Sequence, residues 1–412
     1  MTDRDRLNLL FVSPFPASPP TFGAQRRVQG LMAALARRHD ITAISVITPE
    51  YDRHVAERAM REYCGDVVLV QAQASNGSRK RLMQVRSLFS TRSFVRGLYD
   101  LPALRRAVHD LLNARAYDIA SAELPFLALE LAKSIPRRGQ PHLVLDEHNI
   151  EFDLARQQAR DATGLTRRVY NSINWRKIRR EEIAIWSQFG GVAFCSAADE
   201  TRARALVPSM RSAVVPNAVD VEYFKPRLAD PAPDGRTVMF FGAINYFPNE
   251  DGLLYLLREV WPLILRSHPQ ARLKIVGQHP TPDVFACRGP RVEVTGKVDD
   301  LRPHLASAAV SIVPLRIGGG TRFKILEAMA MAKPVVSTSI GAEGIDAEPD
   351  RHLLLADGPA AFAAAIGRVL DDPGLGARLG REARLLVEER YSWDTAAQAL
   401  EGLYDEVLGA KR

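Results

Sequence analysis

Short apolar runs alternate with segments of helical periodicity along almost the whole chain. Runs such as LNLLFVSP (7–14) and HLVLDEH (142–148) are rich in branched aliphatic residues, as buried strands are. Between such runs, segments like AQRRVQGLMAALARR (24–38) repeat apolar residues at helical spacing, with Val28 and Leu35 on the same side. Strands that alternate with helices in this way predict α/β architecture, with parallel sheets covered by helices.

A polar segment interrupts this pattern near the middle of the chain. FKPRLADPAPDGR (224–236) is rich in proline and charge and has almost no periodicity, which is typical of a linker. A second series of strands and helices follows, from TVMFFGAI (237–244) to HLLLAD (352–357). The chain has 412 residues, too many for one ordinary core, so we expect two domains. Ligands of parallel sheets bind at the carboxyl ends of the strands, so two facing sheets would form one ligand site in the cleft between them.

Composition excludes several classes of protein. The three cysteines, Cys64, Cys195 and Cys287, are far apart and odd in number, which argues against a disulfide framework and a zinc site. The first apolar run is too short and too soon interrupted for a signal peptide, and no stretch approaches the ~20 apolar residues of a membrane span. We therefore expect a cytoplasmic protein.

The net charge of +7 is unevenly distributed. Residues 79–115 contain nine Lys or Arg and only two acidic residues, and NWRKIRREE (174–182) forms a second basic cluster. Such segments suit an anionic surface, and peripheral attachment to the inner face of a membrane and plain solvated helices both stay open. No aromatic pattern or motif of nucleic-acid binding accompanies these cations, so we expect no nucleic-acid partner.

Glycines follow several predicted strands. Gly23 lies between the Pro-rich loop after the first strand and the first helix, and Gly242 and Gly277 follow strands of the second series. Glycine lets a phosphate approach the backbone, and a helix start offers free N–H groups to it. Each of these positions is also compatible with a simple turn between a strand and a helix.

The strongest glycine motif is RIGGGTRFK, residues 316–324. It contains three glycines at a strand end, a candidate N-cap residue and two cations that open the next helix. These candidate donor-binding residues are Gly318, Gly319, Gly320, Thr321, Arg322 and Lys324.

Five segments, in order, resemble the family-4 glycosyltransferases of the GT-B fold. They are VVPNAVDVEYF (214–224), LKIVGQHP (273–280), VTGKVDDLRPHLASAAVSIVPL (294–315), LEAMAMAKPVVST (326–338) and ERYSW (389–393). The resemblance implies two Rossmann-like parallel-sheet domains that face each other across a cleft. It places an acceptor-side domain at 1–216, completed by a C-terminal helix at 393–412, and a nucleotide-sugar domain at 217–392.

The resemblance also implies an activity and residue roles. The expected reaction is the retaining transfer of a sugar from a nucleoside-diphosphate sugar to a glycan, lipid-linked or small-molecule acceptor, without a metal and without a cofactor. Glu327 matches the second Glu of the family's Glu-x7-Glu motif, which binds the donor ribose. His148 matches the active-site histidine at the end of a strand in the first domain. Gly23 matches the glycine loop that approaches the diphosphate.

Two departures from the family pattern bear on activity. Gly319 occupies the position of the first motif Glu, and residues 242–252 lack the Arg and Lys that usually hold the diphosphate. We predict that Arg322 and Lys324 supply this charge instead, with Arg322 as the main ligand, and that the backbone near Gly319 replaces the missing Glu. The alternatives are a binding-only subunit that has lost its chemistry and a sugar-nucleotide epimerase of the same fold.

Overall fold

The computed structural model describes residues 6–72, 77–135, 141–160, 162, 164–318 and 321–409. The chain forms two compact units, each an α/β structure around one parallel sheet. The first unit comprises Met1–Pro216 and Ala396–Arg412, and the second comprises Asn217–Thr395.

The sheet of the first unit has seven parallel strands in the order β3-β2-β1-β4-β5-β6-β7. Helices cover both faces of such a sheet, which explains why its central strands are continuously apolar and buried. The strands are β1 Asn8–Ser13, β2 Asp40–Ile47, β3 Asp66–Gln71, β4 Ile119–Glu123, β5 His142–Glu147, β6 Gly191–Phe194 and β7 Ser212–Val214.

Ten helices of the first unit lie among the described residues, including one from the end of the chain. Two helices, α7 and α8, lie between β5 and β6. The helices are α1 Gly23–Leu35, α2 Arg53–Met60, α3 Gly77–Leu88, α4 Phe94–Leu98, α5 Pro102–Ala114, α6 Pro125–Ser134, α7 Glu151–Arg160, α8 Leu165–Trp186, α9 Ala197–Leu206 and α17 Trp393–Leu408.

The C-terminal helix α17 packs on the first sheet. Glu401 accepts hydrogen bonds from Arg38 Nε (2.7 Å) and Nη2 (3.0 Å), and Leu403 and Val407 lie against Gly191 of β6. A Cβ on Gly191 would lie 2.8 Å from a methyl carbon of Val407, so glycine is needed for this close approach.

The sheet of the second unit has six parallel strands in the order β10-β9-β8-β11-β12-β13. The predicted α/β architecture, with a Rossmann-like parallel sheet in each unit, is thus confirmed. The strands are β8 Thr237–Phe241, β9 Arg272–Val276, β10 Val292–Gly296, β11 Val310–Val313, β12 Val335–Ser337 and β13 Leu354–Leu355.

The helices of the second unit connect these strands. A π-helical turn, Leu256–Val260, joins α10 to α11 just before Pro262, which has no N–H to donate to the preceding turn. The helices are α10 Phe247–Tyr255, α11 Trp261–Ser267, α12 Pro282–Ala286, α13 Arg302–Ser307, α14 Phe323–Ala330, α15 Pro359–Asp371 and α16 Pro373–Arg390.

Candidate active site

Two glycines bring the ends of strands β8 and β9 into close contact. Gly242 follows β8 with a φ of 142°, which favours glycine, and its N–H donates to the carbonyl of Val276. A Cβ on Gly277 would lie 1.8 Å from the carbonyl oxygen of Gly242. The sequence suggested that Gly277 makes room for a phosphate, but in the structure the absent side chain makes room for the backbone of Gly242.

The side chain of Lys324 extends from α14 back to this strand end. Its Nζ donates a hydrogen bond to Asn249 Oδ1 (2.7 Å) and lies 4.1 Å from the ring centroid of Phe240. A Cβ on Gly242 would lie only 3.1 Å from the same Nζ. Asn249 is held in turn, because its Nδ2 donates to the carbonyl of Ala243 at 2.7 Å. The segment 242–252, which runs from the end of β8 into α10, contains no Lys or Arg. Lys324 of α14 therefore provides a basic side chain at this position.

Lys324 is a cation in a poorly hydrated environment. Burial, followed by the neighbouring charge of Arg322, lowers the pKa of Lys324 from 10.5 to about 7, and Glu327 opposes the change. The charged form of this amine is thus destabilised, because Glu327 offsets only part of the effects of burial and of Arg322. An anion bound beside Nζ would restore that charge.

Thr321 does not cap the helix as predicted. The N-cap of α14 is Arg322, whose side chain makes no capping hydrogen bond, and the hydroxyl of Thr321 donates instead to the carbonyl of Gly344 at 3.3 Å. Asn217 Nδ2 donates to the carbonyl of Thr321 at 3.2 Å, which ties the start of α14 to the first residue of the unit. The start of α14 is therefore held by hydrogen bonds from side chains to backbone carbonyls rather than by a threonine cap.

Arg322 lies beside the glycine loop that precedes α14. Gly318 has a φ of 137°, and a Cβ there would lie 2.3 Å from Nη2 of Arg322. Gly319 and Gly320 lie outside the described residues, so the predicted role of the Gly319 backbone stays a prediction. The guanidinium of Arg322 is thus packed against Gly318, whereas Lys324 reaches the Gly242 strand end.

Glu327 occupies the second turn of α14 and is 3 % exposed. Its carboxylate is close enough to Lys324 to counteract the loss of charge on that amine. Arg322 and Lys324, predicted to bind the diphosphate, and Glu327, predicted to bind the ribose, therefore all lie in α14 or at its N-cap. Lys324 and Glu327 also interact electrostatically.

A separate polar cluster surrounds His148 in the first unit. His148 follows β5, and its Nε2 lies 2.9 Å from Glu123 Oε2 and 3.5 Å from Asp146 Oδ2. Arg27 of α1 donates to both carboxylate oxygens of Asp146, at 2.8 and 2.6 Å. All four side chains are buried. They bring together the carboxyl ends of β4 and β5 and one helix.

The charges in this cluster compensate one another. Burial alone lowers the pKa of His148, but hydrogen bonds and charge interactions with Asp146 and Glu123 raise it to about 9. Burial raises the pKa of Glu123 to about 7. Burial would also raise the pKa of Asp146, but Arg27 and His148 hold it well below its usual range. His148 is consequently an imidazolium at neutral pH, and its Nδ1 has no hydrogen-bond partner among the described residues.

Ligand atoms of Glu123, Asp146 and His148 lie within 4.8 Å of one another, close enough to suggest a metal site. The electrostatics favour another interpretation. Both oxygens of Asp146 accept hydrogen bonds from Arg27, and a metal ion would have to displace the proton that His148 holds with a pKa of about 9. We therefore treat the three residues as an ion-paired network.

Sequence reasoning missed Arg27, Glu123 and Asn249. Glu123 ends a predicted strand, and a carboxylate at the strand end beside that of His148 was the available signal. Arg27 and Asn249 gave no signal, because each looks like an ordinary helix residue. Gly23 is the first residue of α1, one turn before Arg27, and is half-buried.

The basic stretch 79–115 is partly neutralised within the first unit. Arg105 pairs with Asp100 at 2.6 Å and with Glu130, and Arg96 lies 3.5 Å from Glu181. The side chains of residues 79 and 80 lie outside the described part of the chain. Among the described residues, no helix combines the length and apolar character needed to cross a bilayer.

Comparison with known proteins finds a family match within the second unit. Residues 235–372 match the family model of glycosyl transferases group 1. An uncharacterized glycosyltransferase of Methanocaldococcus jannaschii is 30% identical over 181 residues, which cover 42% of this chain and 45% of that protein. Matches to curated relatives span less than two thirds of the length of those proteins.

Solved structures resemble the chain over nearly its whole length. Sucrose-phosphate synthase of Thermosynechococcus elongatus superposes with a TM-score of 0.74 at 20% identity, over 98% of this chain and 100% of that one. Anabaena HepE, solved with UDP and glucose, gives a TM-score of 0.67 at 16% identity, over 98% and 100% of the two chains. These similarities establish the fold. Residues 235–372 of the second unit therefore form a domain of the group 1 glycosyltransferase type, and the α/β fold of each unit is that of the solved GT-B glycosyltransferases.

Proposed function

We propose that this protein is a retaining, metal-independent glycosyltransferase that takes its sugar from a nucleoside-diphosphate sugar. The main supporting observation is the position of Lys324, whose buried amine lies against Gly242 at the carboxyl end of β8. Ligands of parallel sheets bind at such strand ends. A buried amine with a pKa of about 7, whose charge is supported only in part by Glu327 on the same helix, suits a bound anion.

The diphosphate would be held by cations instead of by a metal. Lys324 would contribute a point charge at the end of β8, and Arg322 and the free N–H groups at the start of α14 would add to it. Glu327, three residues further on, would accept hydrogen bonds from the ribose hydroxyls, since a carboxylate can accept from both hydroxyls of a diol. This arrangement accounts for the absence of cations in 242–252.

His148 would bind the transferred sugar. Its Nε2 is engaged by Glu123 and Asp146, so Nδ1 is the atom left to donate to a sugar hydroxyl. Because its pKa is about 9, this donor is present throughout the neutral range. Arg27 supports it indirectly by holding Asp146 in place.

In the proposed reaction, the bond between the anomeric carbon and the diphosphate oxygen breaks as the acceptor oxygen attacks from the same face. The acceptor's proton passes to the departing diphosphate. No protein nucleophile is required, and stabilisation of the diphosphate charge by Lys324, Arg322 and the helix start is the main catalytic contribution. The acceptor is a glycan, a lipid-linked molecule or a small molecule.

The proposal is tested by incubating the protein with a panel of nucleoside-diphosphate sugars and acceptors, with and without EDTA. Uridine nucleotides are the first to try, because HepE was solved with UDP. We expect sugar incorporation with the donor's anomeric configuration, unchanged by EDTA. Inverted product or loss of activity in EDTA would contradict the retaining or metal-independent assignment, respectively.

The same panel separates the alternatives. Release of nucleoside diphosphate together with an isomerised sugar and no acceptor product would identify an epimerase. Donor binding, detected as a rise in melting temperature, without any turnover would identify a binding-only subunit.

A further inference from the structure

One surface of the first unit combines two exposed helix segments. We define the α3/α8 face as residues 81–93, which include most of α3, and residues 165–180 of α8. The two segments are in contact, since Lys177 Nζ donates to the carbonyls of Ser87 (2.5 Å) and Ser90 (2.7 Å). Tyr170 Oη also lies 3.4 Å from Ser87 Oγ. The exposed residues of both helices therefore belong to one region of the surface.

This face exposes large apolar side chains to an unusual degree. Seven of the eighteen exposed large hydrophobic residues in the described part of the chain lie on it. Phe89 is 90 % exposed and Leu165 78 %. They recur at helical spacing on each segment, at Leu82, Val85, Leu88 and Phe89 and at Leu165, Val169 and Ile173. Single exposed apolar residues are ordinary on soluble proteins, but a cluster of this kind marks an interaction surface.

The same face is strongly basic. Residues 81–99 contain four arginines and no acidic residue, and residues 164–180 contain six Lys or Arg and no acidic residue. Acidic residues just outside these ranges neutralise part of this charge, since Glu181 lies 3.5 Å from Arg96 and Asp100 lies 3.9 Å from Arg92. Several of the remaining cations use backbone carbonyls or aromatic rings as partners, as Lys177 does with Ser87 and Arg176 with Trp175. Such contacts leave the positive charge uncompensated.

We propose that the α3/α8 face binds the surface of an anionic lipid bilayer. Apolar side chains can enter the boundary between headgroups and acyl chains, while the flanking cations stay at the level of the phosphates. A second copy of this chain is a poor partner, because it would place two strongly basic faces against each other. The proposal rests on this surface alone and is independent of the proposed transfer reaction.

The test measures binding of the full chain to vesicles of phosphatidylcholine with and without phosphatidylglycerol. We expect binding only with phosphatidylglycerol, and weaker binding as salt is added, because exposed charges are screened beyond about 8 Å at physiological ionic strength. Phe89→Ser with Leu165→Ser should weaken binding about tenfold or more, since each side chain loses burial in the bilayer. Arg86→Gln with Arg167→Gln should weaken it roughly 25-fold, about fivefold for each cation.

Matched controls change similar residues elsewhere. Leu228 and Leu385 are exposed apolar residues of the second unit, so Leu228→Ser with Leu385→Ser should leave vesicle binding unchanged. Arg272→Gln with Arg381→Gln removes two exposed charges of that unit and should have only a minor effect. Nucleotide binding, measured in parallel, should be the same in all four double variants.

Three outcomes would overturn the proposal. One is equal binding to neutral and anionic vesicles at low salt. Another is an equal loss of binding in the control and face variants. The third is a concentration-dependent dimer, without vesicle binding, that dissociates when Phe89 and Leu165 are replaced, which would assign this face to self-association.

Discussion

Lys324 and Lys333 are two buried lysines of the second unit with different surroundings. Lys324 Nζ contacts Asn249 and the Phe240 ring at a strand end, whereas Lys333 Nζ donates to the carbonyl of Ala306 at 2.6 Å. Burial lowers the pKa of both, to about 7 and about 8 respectively. They form a natural pair in which one lysine is proposed to bind ligand and the other supports the fold.

We predict that Lys324→Met weakens binding of the nucleoside diphosphate roughly 10- to 100-fold. The variant removes a charge-assisted interaction worth about 1.5–3 kcal/mol. Isothermal titration calorimetry measures the affinity, and Lys333→Met is the matched control, expected to bind nucleotide as the wild type does. Arg322→Ala should lose less than Lys324→Met, because Arg322 is packed against Gly318.

The same calorimetric titrations test whether Lys324 contributes more than Arg322 to nucleotide affinity. If Arg322→Ala loses more affinity, the sequence-based choice of Arg322 as the main ligand holds. If neither variant loses more than about threefold, roughly 0.6 kcal/mol, the diphosphate is bound elsewhere.

We predict that nucleotide binding at pH 8 takes up close to one proton. Lys324, with a pKa of about 7, is mostly neutral at pH 8 in the free protein, and a diphosphate beside Nζ raises its pKa. The uptake should decline towards pH 6, where the amine is already charged. Calorimetry in buffers of different ionisation enthalpy measures it, and Lys324→Met should abolish it. Uptake that persists in Lys324→Met would assign the proton to another group.

At the scale of elements, strand β5 ends in two buried acids that face opposite sides of the sheet. Asp146 contacts Arg27, and Glu147 Oε2 accepts from Trp186 Nε1 of α8 at 2.9 Å. Burial, followed by the charge of Glu182, raises the pKa of Glu147 well above its ordinary value. Because successive side chains of a strand point to opposite faces of the sheet, the pKa of Asp146 is lowered while that of the adjacent Glu147 is raised.

We predict that Glu147→Gln stabilises the first unit at pH 8 by about 1–3 kcal/mol. A carboxyl with a raised pKa binds more protons in the folded state, so its contribution to stability falls as pH rises above its ordinary value. Glutamine keeps an acceptor for Trp186 and has no charge. Thermal unfolding measured from pH 4 to 8 checks this, and the difference from wild type should vanish near pH 4.

The neighbouring residue, Asp146, provides a control for which the expected change in stability has the opposite sign. Asp146→Asn should destabilise the unit by about 3–5 kcal/mol, because it leaves Arg27 buried without its charged partner. A Glu147→Gln variant that is less stable than wild type at pH 8 would show that its carboxylate is ionised and stabilising.

At the scale of the whole molecule, the last helix of the chain completes the first unit. Leu403 of α17 is 1 % exposed and packs on Gly191 of β6, more than 200 positions earlier in the chain. We predict that Leu403→Ala destabilises the first unit by about 2–5 kcal/mol through the cavity it leaves. Hydrogen exchange of amides in β6 should accelerate, while amides in β11 keep their protection.

Leu385→Ala, at an exposed position of α16, is the control and should change stability by less than about 0.5 kcal/mol. Equal acceleration in both units after Leu403→Ala would mean that they unfold together, against the assignment of α17 to the first unit.

Local patterns in the sequence identify most elements and several candidate residues. The alternation of buried strands with amphipathic helices predicts two parallel α/β structures, since the periodicity of a segment depends only on its own residues. Strand ends marked by Gly242 and Gly277 are equally visible, because a required backbone conformation or close approach excludes other residues. The lack of a Thr321 cap was not predictable from such patterns, since helix ends depend on neighbours outside the helix.

Contacts between distant positions were decided only by the tertiary structure. Arg27 meets Asp146 across 119 positions, and Lys324 meets Asn249 across 75. The sequence shows that two cations, Arg322 and Lys324, lie at the start of α14, but only the fold determines that Lys324 reaches Gly242. Burial then sets the pKa values of Lys324 and His148, because desolvation and charge interactions depend on which groups the fold places around them.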